Sequence, residues 1–193
     1  MESRDIGERQ VRCKPGDFKT RAEDGKEYIE GYFSVFHEDY EIGPDMTESI
    51  DEHAFDNALD DDIRALTNHD TRLVLGRNKA NTLELMVDQH GLFGRILVNP
   101  NDQDAVNTKA RVDRGDVTQA SFGFDILDEE TEYRDDGSIH WTIKSVKLYE
   151  VSVCTFPAYE GTNLKSRSAQ RDELKKRQAE AWKKELREKL EKC

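Results

Sequence analysis

Cysteine is scarce in this 193-residue chain: only Cys13, Cys154 and Cys193 occur. An odd number of widely separated thiols excludes a disulfide framework, provides no CxxC pair for zinc, and fits a reducing cytoplasm. Cys154, between Val153 and Thr155 in an apolar run, reads as a small core residue. Long apolar runs are missing too. No stretch approaches the roughly 18 residues of a membrane span, and the opening MESRDIGERQ lacks the apolar core of a secretory signal. The sequence contains no HExxH or comparable ligand spacing and no GxGxxG or GxxxxGK[ST] loop, so neither a metal nor a nucleotide cofactor is expected. His37, His53, His90 and His140 are expected at the surface.

Positive charge is in deficit. The formal net charge is −12 and the sequence pI is about 4.9, which repels nucleic acid and anionic membrane from most of the surface. The exception is the tail from Lys165 to Cys193, with eleven Lys or Arg against six Asp or Glu; the other 164 residues carry 18 against 35. In that tail Leu174, Trp182, Leu186 and Leu190, with Ala179 and Ala181, recur at spacings of three and four, which predicts a basic amphipathic helix suited to docking on an acidic partner or to self-association.

Three segments follow: residues 1–27 as a flexible, charged arm, residues 28–164 as one folded domain, and residues 165–193 as the helical tail. YIEGYFSVF (28–36) reads as a strand with Ile29, Phe33 and Val35 on one face, and Gly31 marking a bulge or a close backbone approach. ESIDEHAFDNAL (48–59) reads as a short strand and then a helix capped by Asp51, with Phe55, Ala58 and Leu59 on one side. TLELMVD (82–88) and LFGRILV (92–98) form a hairpin. A second helix is expected from about Gln103 to Arg114, capped by Asp102 and stopped by Gly115. VTQASFGFDI and HWTIKSVKLYEVSV are strands separated by a turn at Asp135, Asp136 and Gly137. Six or seven strands with two short helices predict a mainly β or α+β domain: a closed or strongly curved, antiparallel-rich sheet of barrel type flanked by short helices.

Ser121 is the position richest in chemical meaning. Alternation along QASFGFDI puts Ala120, Phe122 and Phe124 on one face and Ser121 and Gly123 on the other, a serine on the cleft side of a core-backed strand, with Gly123 leaving room for a substrate backbone. His69 in RALTNHD and Glu150 in LYEVSVCTFPAY stand in comparable strand-end settings on either side of it in sequence. Serine, histidine and a carboxylate are the three residue types of nucleophilic acyl transfer, because a hydroxyl attacks only when an imidazole removes its proton and an acid orients the imidazole. Asp70, Asp125 and Glu48 are substitutes for the acid.

The ordered segments EGYFSVF, ESIDEHAFDNAL, RALTNHD, LVLGR, SFGF and EVSVCTFPAY resemble those of the prohead maturation proteases of tailed bacteriophages, over about residues 28–164. That family is similar in turn to the herpesvirus assemblins, serine peptidases on a β-barrel flanked by helices. The resemblance implies His69 as general base, Ser121 as nucleophile and Glu150 as the third member. It further implies a serine endopeptidase acting inside the assembling prohead in the host cytoplasm, on scaffold or the scaffolding segment of the major capsid protein, and on itself.

Overall fold

The computed structural model describes residues 10–156 and, in the tail, 171–173, 175–176, 179–180 and 182–183. Eleven strands are described. The chain runs β1 (Gln10–Pro15), β2 (Lys19–Glu23), β3 (Lys26–Val35), β4 (Tyr40–Gly43), β5 (Met46–Ile50), β6 (Arg64–Thr67) and β7 (Asp70–Arg77). It continues through β8 (Leu83–Val87), β9 (Gly91–Leu97), α1 (Gln103–Arg114), β10 (Gln119–Tyr133) and β11 (Ile139–Cys154).

The strands β10 and β11 pair antiparallel over almost their whole length and form the spine of a seven-stranded sheet. On one side β1 adds antiparallel to β10. On the other, two strands share the free edge of β11, both parallel to it: β5 opposite Ile139–Ile143 and β6 opposite Glu150–Val153. The second sheet has four strands in the order β2-β3-β9-β8. The apolar face of the spine explains the packing: Ala120, Phe122, Phe124, Val151 and Val153 are each fully buried. Phe122 stacks on Phe124 at a centroid distance of 4.6 Å and meets Phe55 edge-on at 5.7 Å. Truncating such a ring to alanine costs about 3–5 kcal/mol.

The expected closed barrel does not form. Among the described residues the two sheets keep separate ladders and meet at corners one residue wide. At the first, Gly16 N–H donates to Thr118 O (2.9 Å) and Gly16 O accepts from Tyr32 N–H (3.0 Å). At the second, Thr82 N–H donates to Arg77 O (3.2 Å) and Thr82 O accepts from Leu97 N–H (3.0 Å). Two hydrogen bonds at a corner redirect the chain from one sheet to the other without a continuous edge-to-edge ladder. Gly31 is a close approach, as its sequence setting suggested: a Cβ there would lie 2.5 Å from Gly16 O.

Other expectations divide. The helix α1 has the predicted bounds; Asp102 accepts from the amides of Asp104 and Ala105, and Gly115 ends the helix at φ 82°. The hairpin of β8 and β9 forms as expected. The arm expected over residues 1–27 is, from Gln10 on, two strands; polar sequence hid them because each is a sheet edge that needs only one apolar neighbour. The helix expected after β5 is a chain of three-residue turns, with Ala54, Asp56 and Ala58 amides donating to the carbonyls three residues back. Asp51 caps the first of these through its side chain on the His53 amide, and Ala54, Phe55 and Ala58 are buried. The amphipathic helix expected in the tail lies mostly outside the described residues.

Candidate active site

The site grows from one turn. Strands β6 and β7 are joined by the two residues Asn68 and His69, with Thr67 paired to Asp70. Both turn residues have positive φ, 51° and 59°, the requirement of a type I′ hairpin turn, which glycine usually meets in the second place. A histidine there is held against its own backbone preference, and the structure shows what holds it. Asn68 N–H donates to Val153 O (3.0 Å), the Thr155 amide donates to Asn68 Oδ1 (2.8 Å), and His69 N–H donates to Ser152 Oγ (3.2 Å). Since β6 already lies parallel to β11, these bonds fasten the turn over the last residues of β11 and bring the imidazole down on that strand.

Along β11, Glu150, Ser152 and Cys154 alternate onto the face opposite the core residues Val151 and Val153. Glu150 Oε1 lies 2.6 Å from His69 Nδ1, and Ser152 O–H donates to Glu150 Oε2 at 2.6 Å. A carboxylate oxygen accepts, so Nδ1 carries the hydrogen and the lone pair is left on Nε2. The carboxylate is almost fully buried while the imidazole keeps 25% of its surface. Gly123 makes this possible: a Cβ at that position would stand 2.4 Å from Glu150 Oε1. The room read from sequence as space for a substrate backbone is therefore filled by the acid itself. A bulge at Tyr149, between the pairs Gly123↔Glu150 and Phe124↔Leu148, adjoins the acid, and Tyr149 O–H donates to Asp125 Oδ2 (2.6 Å).

Ser121 is the direct cross-strand partner of Ser152, and side chains so placed share one face of the sheet with their Cβ atoms about 4.5–5.5 Å apart. Its hydroxyl donates to Arg12 O at 2.8 Å. It is fully buried, not displayed in an open cleft, and β1, paired alongside β10 in the same sheet, sets Cys13 opposite it. His69 Nε2 has Cys154 Sγ at 3.7 Å. A hydrogen bond with Cys13, and then burial, push the Cys154 thiol well above its ordinary range, away from the thiolate.

The structure thus joins His69 to Glu150 directly and sets Ser121 one strand away on the same face. The substitutes for the acid are occupied elsewhere. Asp70 is bound by Arg72, which holds its carboxyl down at about 2; Asp125 accepts from Tyr149; and Glu48 faces the core, paired with Arg12 Nη2 at 2.8 Å. Ser152 went unnoticed in the sequence, although its place two residues after Glu150 puts it on the acid's face. His140, expected at the surface, is buried between Thr47 Oγ1 (2.8 Å) and Ser49 Oγ (2.9 Å), because β11 pairs there with β5 on one side and β10 on the other. Among the described residues no group of three or more His, Cys, Asp or Glu is placed to hold a metal ion, and no helix is long and apolar enough to cross a membrane.

Residues 16–177 match the family model described as caudovirus prohead serine protease. The chain belongs to that family. It is 34% identical over 142 residues to the prohead protease of Enterobacteria phage HK97, an overlap covering 71% of this chain and 59% of that one, so the chain spans somewhat over half the length of that relative. The capsid assembly protease of bacteriophage T4 is similar at a TM-score of 0.48 and 13% identity, over 77% of this chain and 99% of the other. The ordered segments that suggested the family therefore identified it correctly.

Proposed function

We propose that this chain is the maturation endopeptidase of a tailed-phage prohead, cleaving scaffold or the scaffolding segment of the major capsid protein, and itself, with Ser121 as nucleophile, His69 as general base and Glu150 as the orienting acid. The observation that carries the reading is the 2.6 Å contact between His69 Nδ1 and Glu150 on the strand next to Ser121, in a chain of the prohead protease family. In the reaction Ser121 Oγ leaves Arg12 O, turns toward the ring and attacks a peptide carbonyl as His69 Nε2 takes its proton. The proton then passes to the leaving amine, and water repeats the cycle on the acyl-enzyme. Glu150 stabilises the imidazolium formed in each half. The work is done inside the assembling shell in the host cytoplasm, with the basic tail docking on acidic scaffold or capsid subunits.

Cys154 supports a second reading, a thiol nucleophile, because its sulfur is the atom 3.7 Å from Nε2. A thiol nucleophile works as thiolate, and the burial and hydrogen bonding of Cys154 oppose that form, so serine chemistry is favoured. A non-catalytic assembly module of the same fold is the rival from another class. Mass spectrometry of the cognate capsid protein co-expressed with the chain separates all three. Mature termini from the unaltered chain and from Cys154→Ser, lost in Ser121→Ala, are expected. Undiminished processing by Ser121→Ala overturns the serine mechanism, and no processing by any form leaves the assembly module.

A further inference from the structure

We infer that Ser152 is a positioning residue of this site, a fourth member that locks both the acid and the base. The inference rests on the reading of His69 and Glu150 as the working pair. Ser152 is fully buried, two residues after Glu150 on the same face of β11, and opposite Ser121. Its hydroxyl has one hydrogen, which goes to Glu150 Oε2 at 2.6 Å, and it accepts the His69 backbone N–H at 3.2 Å. One oxygen atom therefore ties the carboxylate to the turn that carries the base.

Each of the two bonds has a separate job. Glu150 has two oxygens, and with Oε2 held by Ser152 the carboxylate cannot rotate Oε1 away from Nδ1. His69 sits at φ 59° in a turn position that favours glycine, and the bond from its amide is one of the restraints that keep it there. Without the hydroxyl, Oε2 is left buried with one partner fewer, the acid is free to turn, and the ring loses its fixed tautomer and its aim. Alanine in place of Ser152 removes only an oxygen from a fully buried site, so the change acts on orientation and not on any group that handles the substrate.

The test compares Ser152→Ala, Ser152→Thr, Glu150→Gln and His69→Ala in the full chain. It uses a peptide spanning a bond that the unaltered chain cleaves, and nitrogen-15 NMR of the His69 ring to report the tautomer. Ser152→Ala is expected to lower kcat about 10- to 100-fold, the range for removing a partner that orients a reacting group, with KM within about twofold. Its ring should show mixed tautomers where the unaltered chain shows hydrogen on Nδ1. Ser152→Thr, which keeps the hydroxyl, is expected to restore the Nδ1 tautomer and most of the kcat. Full kcat and an unchanged tautomer in Ser152→Ala overturn the inference while leaving the triad standing, provided His69→Ala is inactive. An active His69→Ala removes the triad and this inference together. A Ser152→Ala chain that fails to fold is replaced by Ser152→Cys, which fills the site with a weaker donor and acceptor: a mixture of tautomers there supports the role, and hydrogen on Nδ1 with full kcat contradicts it.

Discussion

Glu48 and Glu150 are both almost completely buried, lie on strands flanking or forming the same spine, and do different work. Glu48 is met by the guanidinium of Arg12, itself fully buried, in a two-pronged pair on the core side of β1, where Arg12 also lies over the Phe124 ring. Glu150 is met on the opposite face by an imidazole that keeps a quarter of its surface and by a serine hydroxyl. A permanent cation with geometry matched to the carboxylate makes a closed, structural pair. An imidazole, which can lose and regain a proton near neutral pH, makes an open one. In the proposed mechanism it is the identity and accessibility of the partner, and not burial, that sets Glu150 apart from Glu48.

The sharpest way to break the comparison is on the open side. Ser121→Ala is expected to lower kcat by up to about 10⁶-fold, as for other triads, while costing only about 1 kcal/mol of stability for the lost bond to Arg12 O. A chain that unfolded instead would show the serine to be structural. Glu150→Gln presents an amide to His69 and is expected to lower kcat about 10³- to 10⁴-fold, close to the loss from neutralising the acid in other triads. If activity measured alongside a denaturant curve fell no more than tenfold, Glu150 would be a structural partner of the ring and not the acid that the mechanism needs. On the closed side, Arg12→Met leaves Glu48 buried without its cation and should lower the unfolding free energy by about 3–5 kcal/mol in urea, with kcat per folded molecule unchanged. Loss of kcat without loss of stability would place Arg12 in the chemistry and erase the contrast.

The smallest effect sharpens the closed side by pH. Tyr40, which pairs with Glu48 across β4 and β5, has its phenol pushed up to about 12, chiefly by burial. A folded value raised above the ordinary value near 10 means that its contribution is fully present below pH 10 and is lost as pH rises toward 12. Stability should fall by on the order of 2 kcal/mol through that window from this group, and Tyr40→Phe should flatten that part of the curve. An identical alkaline decline in both forms would show the phenol to be already solvated.

The elements legible in the sequence are those whose pattern is local. The helix α1 announced itself by a cap at Asp102 and a stop at Gly115, the β8–β9 hairpin by alternation, and the serine strand by its three apolar residues facing one way. What was hidden depends on neighbours far along the chain. Strand β1 is polar and takes its conformation from partners more than a hundred residues away, whereas β2, paired to β3 only three to eleven residues on, was hidden by its exposed, polar edge position. His140 is buried because two strands happen to flank it. The turns after β5 carry helix-like spacing, yet their amides bond three residues back. At the site, residue types and family order pointed to His69 and Glu150, and the fold brings them into contact. The burial of Ser121 on a strand flanked by β1 and β11, the filling of the Gly123 space by Glu150 and the bridging Ser152 all need the register of β1, β10 and β11, which no single segment encodes.

In the proposed mechanism the imidazole held by Glu150 activates the hydroxyl of Ser121. Labelling the full chain with a fluorophosphonate and mapping the adduct by peptide mass spectrometry tests it most directly. One adduct is expected, on Ser121, and it disappears in His69→Ala. An adduct on another residue, or one on Ser121 that forms at the same rate without the imidazole, contradicts it.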